Sequence, residues 1–541
     1  MNKIVLAQIN TVAGDIKNNT QKIADCIKKA VEQNADLIIF PEFSLCGYPL
    51  GDIHLRHASI IKRQNEAIIE LAKLTNDKTM AIVGCVDECG KSYFSCLDDG
   101  EEFCKLTKDS NAIFSVGEET FTLNPENDYN ASTVIIPACN ESKTGSEYRR
   151  NKYLSELAKE KGVNVIYVNK IGYGDNKVFD GTSRIFNPNG ELTLRTKAFE
   201  EDIVVAQGYK GIIEPLPTGM DEEVDVNNFN MDYTKDLERT YKSVVLAIRE
   251  YFYKNGFKKA VLGLSGGLDS TISVVLLVDA LGKENVYGVS LPSKITSKES
   301  KDDARILAEN LGICFFELPL AESLDATKNL FDIAFEQVSA EKCEKSTTME
   351  NLQARTRATI LWSIANEHKQ MLPIATSDKS EAYIGYATVN GDMSGGFAPL
   401  ADITKTKLFA LGHFLNEFRE KKNVIPQSIL EKPPGAELKI NPKTGKTVCA
   451  EEDNMPYPFL DEIIWYVENH GYGFDELMNH KFYYEKNNVL SLEQKKEWIN
   501  KFFWKQHCAV FKWHIIPPSV IVDIHSINSA EYRQPIISKV F

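Results

Sequence analysis

No stretch of the chain approaches the ~20 consecutive apolar residues that a bilayer-spanning helix needs. The opening MNKIVLAQIN holds too short an apolar run for the core of a secretory signal. A membrane is therefore not an expected partner, and a cytoplasmic location is. Positive charge is in short supply as well: 62 Lys and Arg stand against 76 Asp and Glu, a formal net charge of −14. That balance argues against a nucleic-acid backbone as the partner and leaves room only for a local basic pocket. Cysteine is sparse, 11 in 541 residues. The number is odd and the spacing lacks the density of a disulfide-stapled domain, so reduced thiols are expected. Internal repeats and low-complexity tracts are missing too. What is present is an ordinary folded composition, 43% hydrophobic and 26% charged, with length for about three domains or two large ones.

Hydrophobic patterning predicts an α/β protein. Ile4–Asn10 reads as a buried strand, and Ile23, Cys26, Ile27, Ala30 and Val31 recur at helical spacing after it. Strands are predicted at Leu37–Phe40, Thr79–Val86, Ala112–Val116, Thr133–Ile136, Val163–Val168 and Ser183–Phe186, with a helix over Glu147–Lys161. Residues 215–233 combine prolines, acidic residues and asparagines without a sustained period, and are read as a linker between domains 1–214 and 234–541. Beyond it, helix Leu237–Tyr253, strand Lys259–Leu264, helix Ser270–Leu281, strand Val286–Ser290, helix Ser297–Leu311 and strand Phe315–Leu318 follow the rhythm of a doubly wound parallel sheet. Ala340–Met349 reads as a polar loop before helix Glu350–His368, and Lys432–Met455 as a second polar excursion.

The strongest chemical signal is Ser265-Gly266-Gly267-Leu268-Asp269-Ser270 between a predicted strand and helix. Two glycines let backbone N–H groups approach an anion, and the helix N-terminus adds partial positive charge. There is no GxxxxGK[ST], so the lysine of an ordinary P-loop is absent. The loop instead resembles that of ATP pyrophosphatases, which cleave between the α- and β-phosphates and pass AMP to a substrate. Asp269 has a physical task at such a site, since Mg²⁺ takes hard carboxylate oxygens. Glu381, after the predicted strand Leu372–Thr376 and within Thr376-Ser377-Asp378-Lys379-Ser380-Glu381, is the expected second carboxylate.

That loop, Asn351-Leu352-Gln353-Ala354-Arg355-Thr356-Arg357, the Thr376–Glu381 run, Gly391-Asp392-Met393-Ser394-Gly395-Gly396 and Ile403-Thr404-Lys405 together resemble NAD synthetase over residues 234–541. The resemblance implies amidation of deamido-NAD⁺ at the expense of ATP, with Mg²⁺ required. It assigns Gly263, Leu264, Ser265, Gly266, Gly267, Leu268, Asp269, Ser270 and Thr376 to ATP, and Lys405 to the phosphates. Asp269 and Glu381 would hold the metal, and with Lys405 they form the implied catalytic set. Asn351, Arg355, Glu381, Tyr386, Ala387, Thr388, Val389, Asp392 and Lys512 are assigned to deamido-NAD⁺. Plainer roles stand beside these: Arg355 or Arg357 solvating a helix face, Asp392 capping a turn, Lys512 as a surface lysine. The chain departs from the pattern at Gly435, where the similar family segment carries Ser or Thr. GMP synthetase, another pyrophosphatase, is disfavoured by the runs around Arg355 and Asp392, and a non-catalytic scaffold by the intact Asp269 and Glu381.

The first 207 residues resemble a nitrilase-type glutaminase domain, expected as an αββα sandwich, through Ala7-Gln8-Ile9-Asn10, Phe40-Pro41-Glu42-Phe43, Gly47-Tyr48-Pro49 and Val178-Phe179-Asp180-Gly181. Such a domain needs a Glu base, a Lys for the oxyanion and a Cys nucleophile. Glu42 is in place and Lys108 is available, less plainly Lys105. At the nucleophile's position stands Asn124 or Pro125, in a stretch too short for the elbow that would present a thiol. Cys139 follows the next strand and is read as inert, with relocation of the nucleophile as the alternative. Cys85, Cys89, Cys96 and Cys104 are read as buried small side chains, and His54 and His57 as surface residues. The expectation is a degenerate glutaminase and an enzyme fed by free ammonia, a homo-oligomer of at least two copies. A glutamine-hydrolysing enzyme with an unrecognised nucleophile is the competing reading.

Overall fold

The computed structural model describes residues 3–53, 57, 59–126, 131–225, 227–338, 346–435, 437–440 and 447–529. His54 and part of the loop expected at Ala340–Met349 lie outside the described residues. The chain forms two compact units, Met1–Val224 and Asp225–Phe541. Among the described residues no helix is long and apolar enough to cross a membrane.

In the first unit two six-stranded sheets pack face to face. One orders the strands Asp202–Gln207, Lys3–Gln8, Leu37–Ile39, Met80–Val86, Ser92–Asp98 and Glu101–Leu106 across its width. The other orders Leu192–Arg195, Arg184–Phe186, Asn164–Asn169, Thr133–Ala138, Glu119–Thr122 and Phe114–Val116. Strand alternation explains the layers. Ile4, Leu6, Leu37 and Ile39 meet Ile135, Ile166 and Ile185 between the sheets. Val5, Ala7 and Ile38 point the other way, against helices Ile16–Glu32 and Ser59–Ala72. Helix Ser146–Lys161 covers the second sheet.

Several of the motif residues here serve the fold. The Gln8 amide donates to the Lys197 and Glu200 carbonyls and accepts from Ser183 and Thr196. Asp180 joins Arg150, Glu147 and Arg184 in a buried charge network. Two thiols depart from the expected burial: Cys89 is exposed and Cys104 only half-buried. Cys89 lies in the turn that Asp87 closes before the next strand, and Cys104 on the outermost strand of its sheet, which has no second strand neighbour among the described residues.

The second unit holds a four-stranded parallel sheet ordered Cys314–Glu317, Val286–Ser290, Lys259–Gly263, Met371–Pro373. The chain builds outward from Lys259–Gly263 on one side and then crosses to place Met371–Pro373 on the other. The boundary between those two strands is the switch point where α/β sheets open a ligand crevice. Helix Leu268–Leu281 begins two residues before its predicted start because Gly267 is extended and ends the loop. Helix Thr348–Glu367 likewise takes in Thr348 and Met349. The strand expected at Leu372–Thr376 stops at Pro373, since Ala375 donates to Phe397 instead of continuing the ladder. Helices Tyr457–His470 and Leu492–Trp513 form a second core with Tyr383, Phe459 and Phe502.

Candidate active site

The Gly-rich loop leaves the sheet at Gly263 and folds on its own hydroxyls. Ser265 Oγ lies 3.1 Å from Ser270 Oγ and accepts from the Gly267 N–H at 3.2 Å. Gly266 has φ +74, and a Cβ there would lie 2.2 Å from the Ser300 carbonyl oxygen, so the close approach requires glycine. The first turn of helix Leu268–Leu281 then presents N–H groups without intrahelical acceptors, with Asp269 half-buried beside them.

Across the switch point, the turn after Met371–Pro373 carries Asp378 and Glu381. Asp378 caps the short helix Lys379–Tyr383, accepting from the Glu381 N–H at 3.0 Å. Lys405, at the start of helix Lys405–Phe418, reaches Asp269 at 2.7 Å, Asp378 at 2.5 Å and Glu381 at 3.0 Å. Burial works against its ammonium, but the three carboxylates prevail and its pKa lies well above the usual lysine value. Burial, with Asp378 and Asp269 nearby, holds the Glu381 carboxyl well above the carboxylate range despite Lys405. Tyr457 donates to Glu381 at 3.2 Å.

Oxygens of Asp269, Asp378 and Glu381 lie within 4.8 Å of one another. These are the hard donors Mg²⁺ takes, and a cation, the Lys405 ammonium, already sits among them, so the group fits that metal. Asp378 was not among the expected site residues. Its signal is the Asp-x-x-Glu spacing, which reads first as a helix cap.

The residues assigned to deamido-NAD⁺ converge beside this cluster. Tyr386 donates its N–H to the Glu381 carbonyl at 2.8 Å. Thr388 Oγ donates to Asn351 Oδ1 at 2.9 Å, and Asp392 accepts from the Thr388 N–H at 2.8 Å and the Ser377 hydroxyl at 3.2 Å. Arg355 donates to the Val389 carbonyl at 3.1 Å, and Lys512 to the carbonyls of Gly385 and Ala387 at 2.7 and 2.6 Å. Asp392 thus does cap a turn, whereas Lys512 is tied inward. Thr376 is half-buried next to Ser377. A cleft opens at Asn351, Leu352 and Arg355 beneath Phe331 and Phe335. Gly435 has the Val448 carbonyl 3.2 Å from where a side chain would begin, and offers no hydroxyl.

In the first unit Glu42 and Lys108 pair at 2.6 Å. Lys105 instead lies 3.7 Å from Glu102. Strand Glu119–Thr122 runs parallel to Thr133–Ala138 and passes into Asn124, whose side chain accepts from the Glu126 N–H in a turn. The Cys139 thiol donates to the Glu42 main-chain carbonyl at 2.9 Å. Burial pushes that thiol far above its ordinary value.

A Gly-rich loop and clustered carboxylates at one crevice are the parts that nucleotide activation needs, and the chain's relatives place it in the class of ATP-dependent carbon–nitrogen ligases. Comparison with known proteins narrows the class. The NAD synthase family model matches residues 240–502, and the carbon-nitrogen hydrolase model residues 3–98. The glutamine-dependent NAD(+) synthetase of Aquifex aeolicus is 32% identical over 86% of this chain and 89% of its own, and that of Thermotoga maritima 31% identical over 91% and 92%. A solved glutamine-dependent NAD⁺ synthetase from Acinetobacter baumannii superposes with a TM-score of 0.70 at 28% identity, covering 99% of this chain and 98% of that one. One from Cytophaga hutchinsonii shares the fold at TM-score 0.80 and 19% identity, with the same coverage. The chain belongs to the NAD synthase family.

Proposed function

We propose that the chain is an NAD synthetase that amidates deamido-NAD⁺ with ATP and takes free ammonia as the nitrogen donor. The nicotinate carboxylate attacks the α-phosphorus of ATP and expels pyrophosphate. Ammonia then attacks the acyl adenylate, and AMP leaves with the oxygen. A free carboxylate is a poor acyl donor, and AMP gives it a leaving group. The Gly263–Ser270 loop and Thr376 bind ATP, Lys405 meets its phosphates, and Asn351, Arg355, Tyr386–Val389, Asp392 and Lys512 orient the dinucleotide. Asp269 and Glu381 would hold Mg²⁺, which supplies neutralisation of phosphate charge. The exposed Leu330 and Ile333 on helix Ala321–Gln337 support assembly into a homo-oligomer of at least two copies.

The observation that carries the ammonia reading is Asn124-Pro125 at the end of strand Glu119–Thr122, where the first unit would need a thiol. The rival reading, glutamine hydrolysis through Cys139, is favoured by the name the relatives carry and by the place of that thiol beside Glu42. It requires as nucleophile a thiol whose pKa burial raises. The assay is NAD⁺ formation from deamido-NAD⁺ and ATP with ammonium or glutamine. Activity with ammonium alone, unchanged in Glu42→Gln, is expected. Glutamate release matching NAD⁺ formation, and lost in Cys139→Ser, would replace ammonia by glutamine.

A further inference from the structure

In a chain with a formal charge of −14, lysines gather on one face of helix Leu492–Trp513. Lys501, Lys505 and Lys512 lie at i, i+4 and i+11, a spacing that puts all three on the same side of the helix. Ala509 lies on that side too, where a Cβ at Gly385 would be 2.9 Å from its own. The face therefore abuts the 385–389 segment, and Lys512 bonds its carbonyls. The Lys505 ammonium lies 5.7 Å from the Tyr386 ring centroid, on the same segment.

Two of these lysines share a neutral partner. Lys505 and Lys501 both find the neutral Asn454, through its side-chain oxygen and its carbonyl. The nearby Asp453 pairs with Lys439 at 2.6 Å and accepts from Tyr386. Burial, then the cations Lys501, Lys439 and Lys512 with only Asp453 opposing, bring the Lys505 amine down to about 8. Asp392 faces Lys512, and Glu381 and Glu350 lie near Tyr386, yet Lys501 and Lys505 hold only a neutral amide between them, an arrangement that an arriving anion would complete.

We propose that Lys505 is a further dinucleotide-binding residue, meeting the diphosphate bridge of deamido-NAD⁺ as that substrate lies along Tyr386–Val389. The inference rests on the NAD synthetase reading. Phosphates of ATP share the chemistry of the diphosphate bridge, but the loop that would take them starts at Gly263 and faces Lys405. Lys505 faces Tyr386 instead. A lysine acts as a point charge on phosphate, so arginine is an acceptable replacement and glutamine is not.

The test compares wild type, Lys505→Gln and Lys505→Arg. In Lys505→Gln the KM for deamido-NAD⁺ should rise about tenfold, with the KM for ATP unchanged. In Lys505→Arg most of the affinity should return. An unchanged deamido-NAD⁺ KM, or an equal rise for ATP, would overturn the assignment. A second measurement needs no variant: acylation of Lys505 in the native chain, followed by peptide mass spectrometry, should be slowed by deamido-NAD⁺ and not by ATP. Protection by ATP alone, or by neither, counts against the proposal. Should wild type form no NAD⁺ from deamido-NAD⁺, the functional reading itself fails, a result distinct from an active wild type with an indifferent Lys505.

Discussion

Asp378 is fully buried behind Lys405, whereas Asp269 and Glu381 keep 27% and 16% of their side chains exposed. The two accessible carboxylates can turn to a metal arriving with ATP, and Asp378 can keep the lysine when they do. Asp378→Asn should still cap Glu381 while leaving the Lys405 ammonium to Asp269 and Glu381 alone. The Mg²⁺ concentration for half-maximal rate should then rise several-fold, whereas Asp269→Asn should abolish activity with the fold intact. A magnesium titration of the two variants separates these outcomes, and an unchanged requirement in Asp378→Asn reduces that residue to a cap. Asp269, Glu381 and Lys405, which the fold brings together, each stand in a contiguous run that the sequence singles out. Asp378 is not itself singled out, since its nearest explanation, a helix cap, is also true. Lys505 looks like a lysine on a solvated helix face until the 385–389 segment is seen lying against it.

Elements were legible where burial is one-sided or complete. Val286–Ser290 matches its predicted bounds, and Ser146–Lys161 differs from prediction by one residue. The hairpin after Cys85 places Cys96 directly opposite Cys104 on adjacent antiparallel strands. A hydrogen bond from Cys96 lowers the Cys104 thiol, and the same bond, with burial, raises Cys96. Oxidised glutathione should therefore react at Cys104, and Cys96 should then displace the bound glutathione to close a disulfide. Each step releases one glutathione thiol, so the disulfide supplied as oxidant takes up both electrons. Peptide mapping should show a Cys96–Cys104 cross-link, reversed by a dithiol. A stable glutathione adduct on Cys104 would mean the sulfurs cannot meet in the geometry a disulfide demands.

At the scale of the whole second unit, a buried network ties distant parts of the chain to the site. Lys379 lies 2.6 Å from Glu468, 3.3 Å from Asp402 and 3.7 Å from Asp523, and donates to the His525 carbonyl. Burial pushes the Glu468 carboxyl up from 4.5 to about 8; Lys379 opposes this, and Asp402 and Asp523 add to it. The folded state then binds this proton more tightly than the unfolded one. The stability Glu468 contributes is full below about 4.5 and is lost as pH rises through about 8. Glu468→Gln, neutral throughout, should flatten the fall in melting temperature between about pH 6 and about pH 9 by ~2–4 °C. A wild-type Tm that does not fall over that range would remove the carboxyl from the account.

The contact between Glu42 and Lys108 has a consequence for any attempt to re-equip the first unit. At 2.6 Å the contact takes one of three ammonium protons and one lone pair of the carboxylate, so both side chains keep capacity for a further partner. Under the ammonia reading, a grafted thiol would restore glutamine hydrolysis only where this carboxylate and this ammonium can both reach it. Loss of either partner alone leaves the other charge without this contact, while loss of both removes the pair, so the two positions are expected to change together.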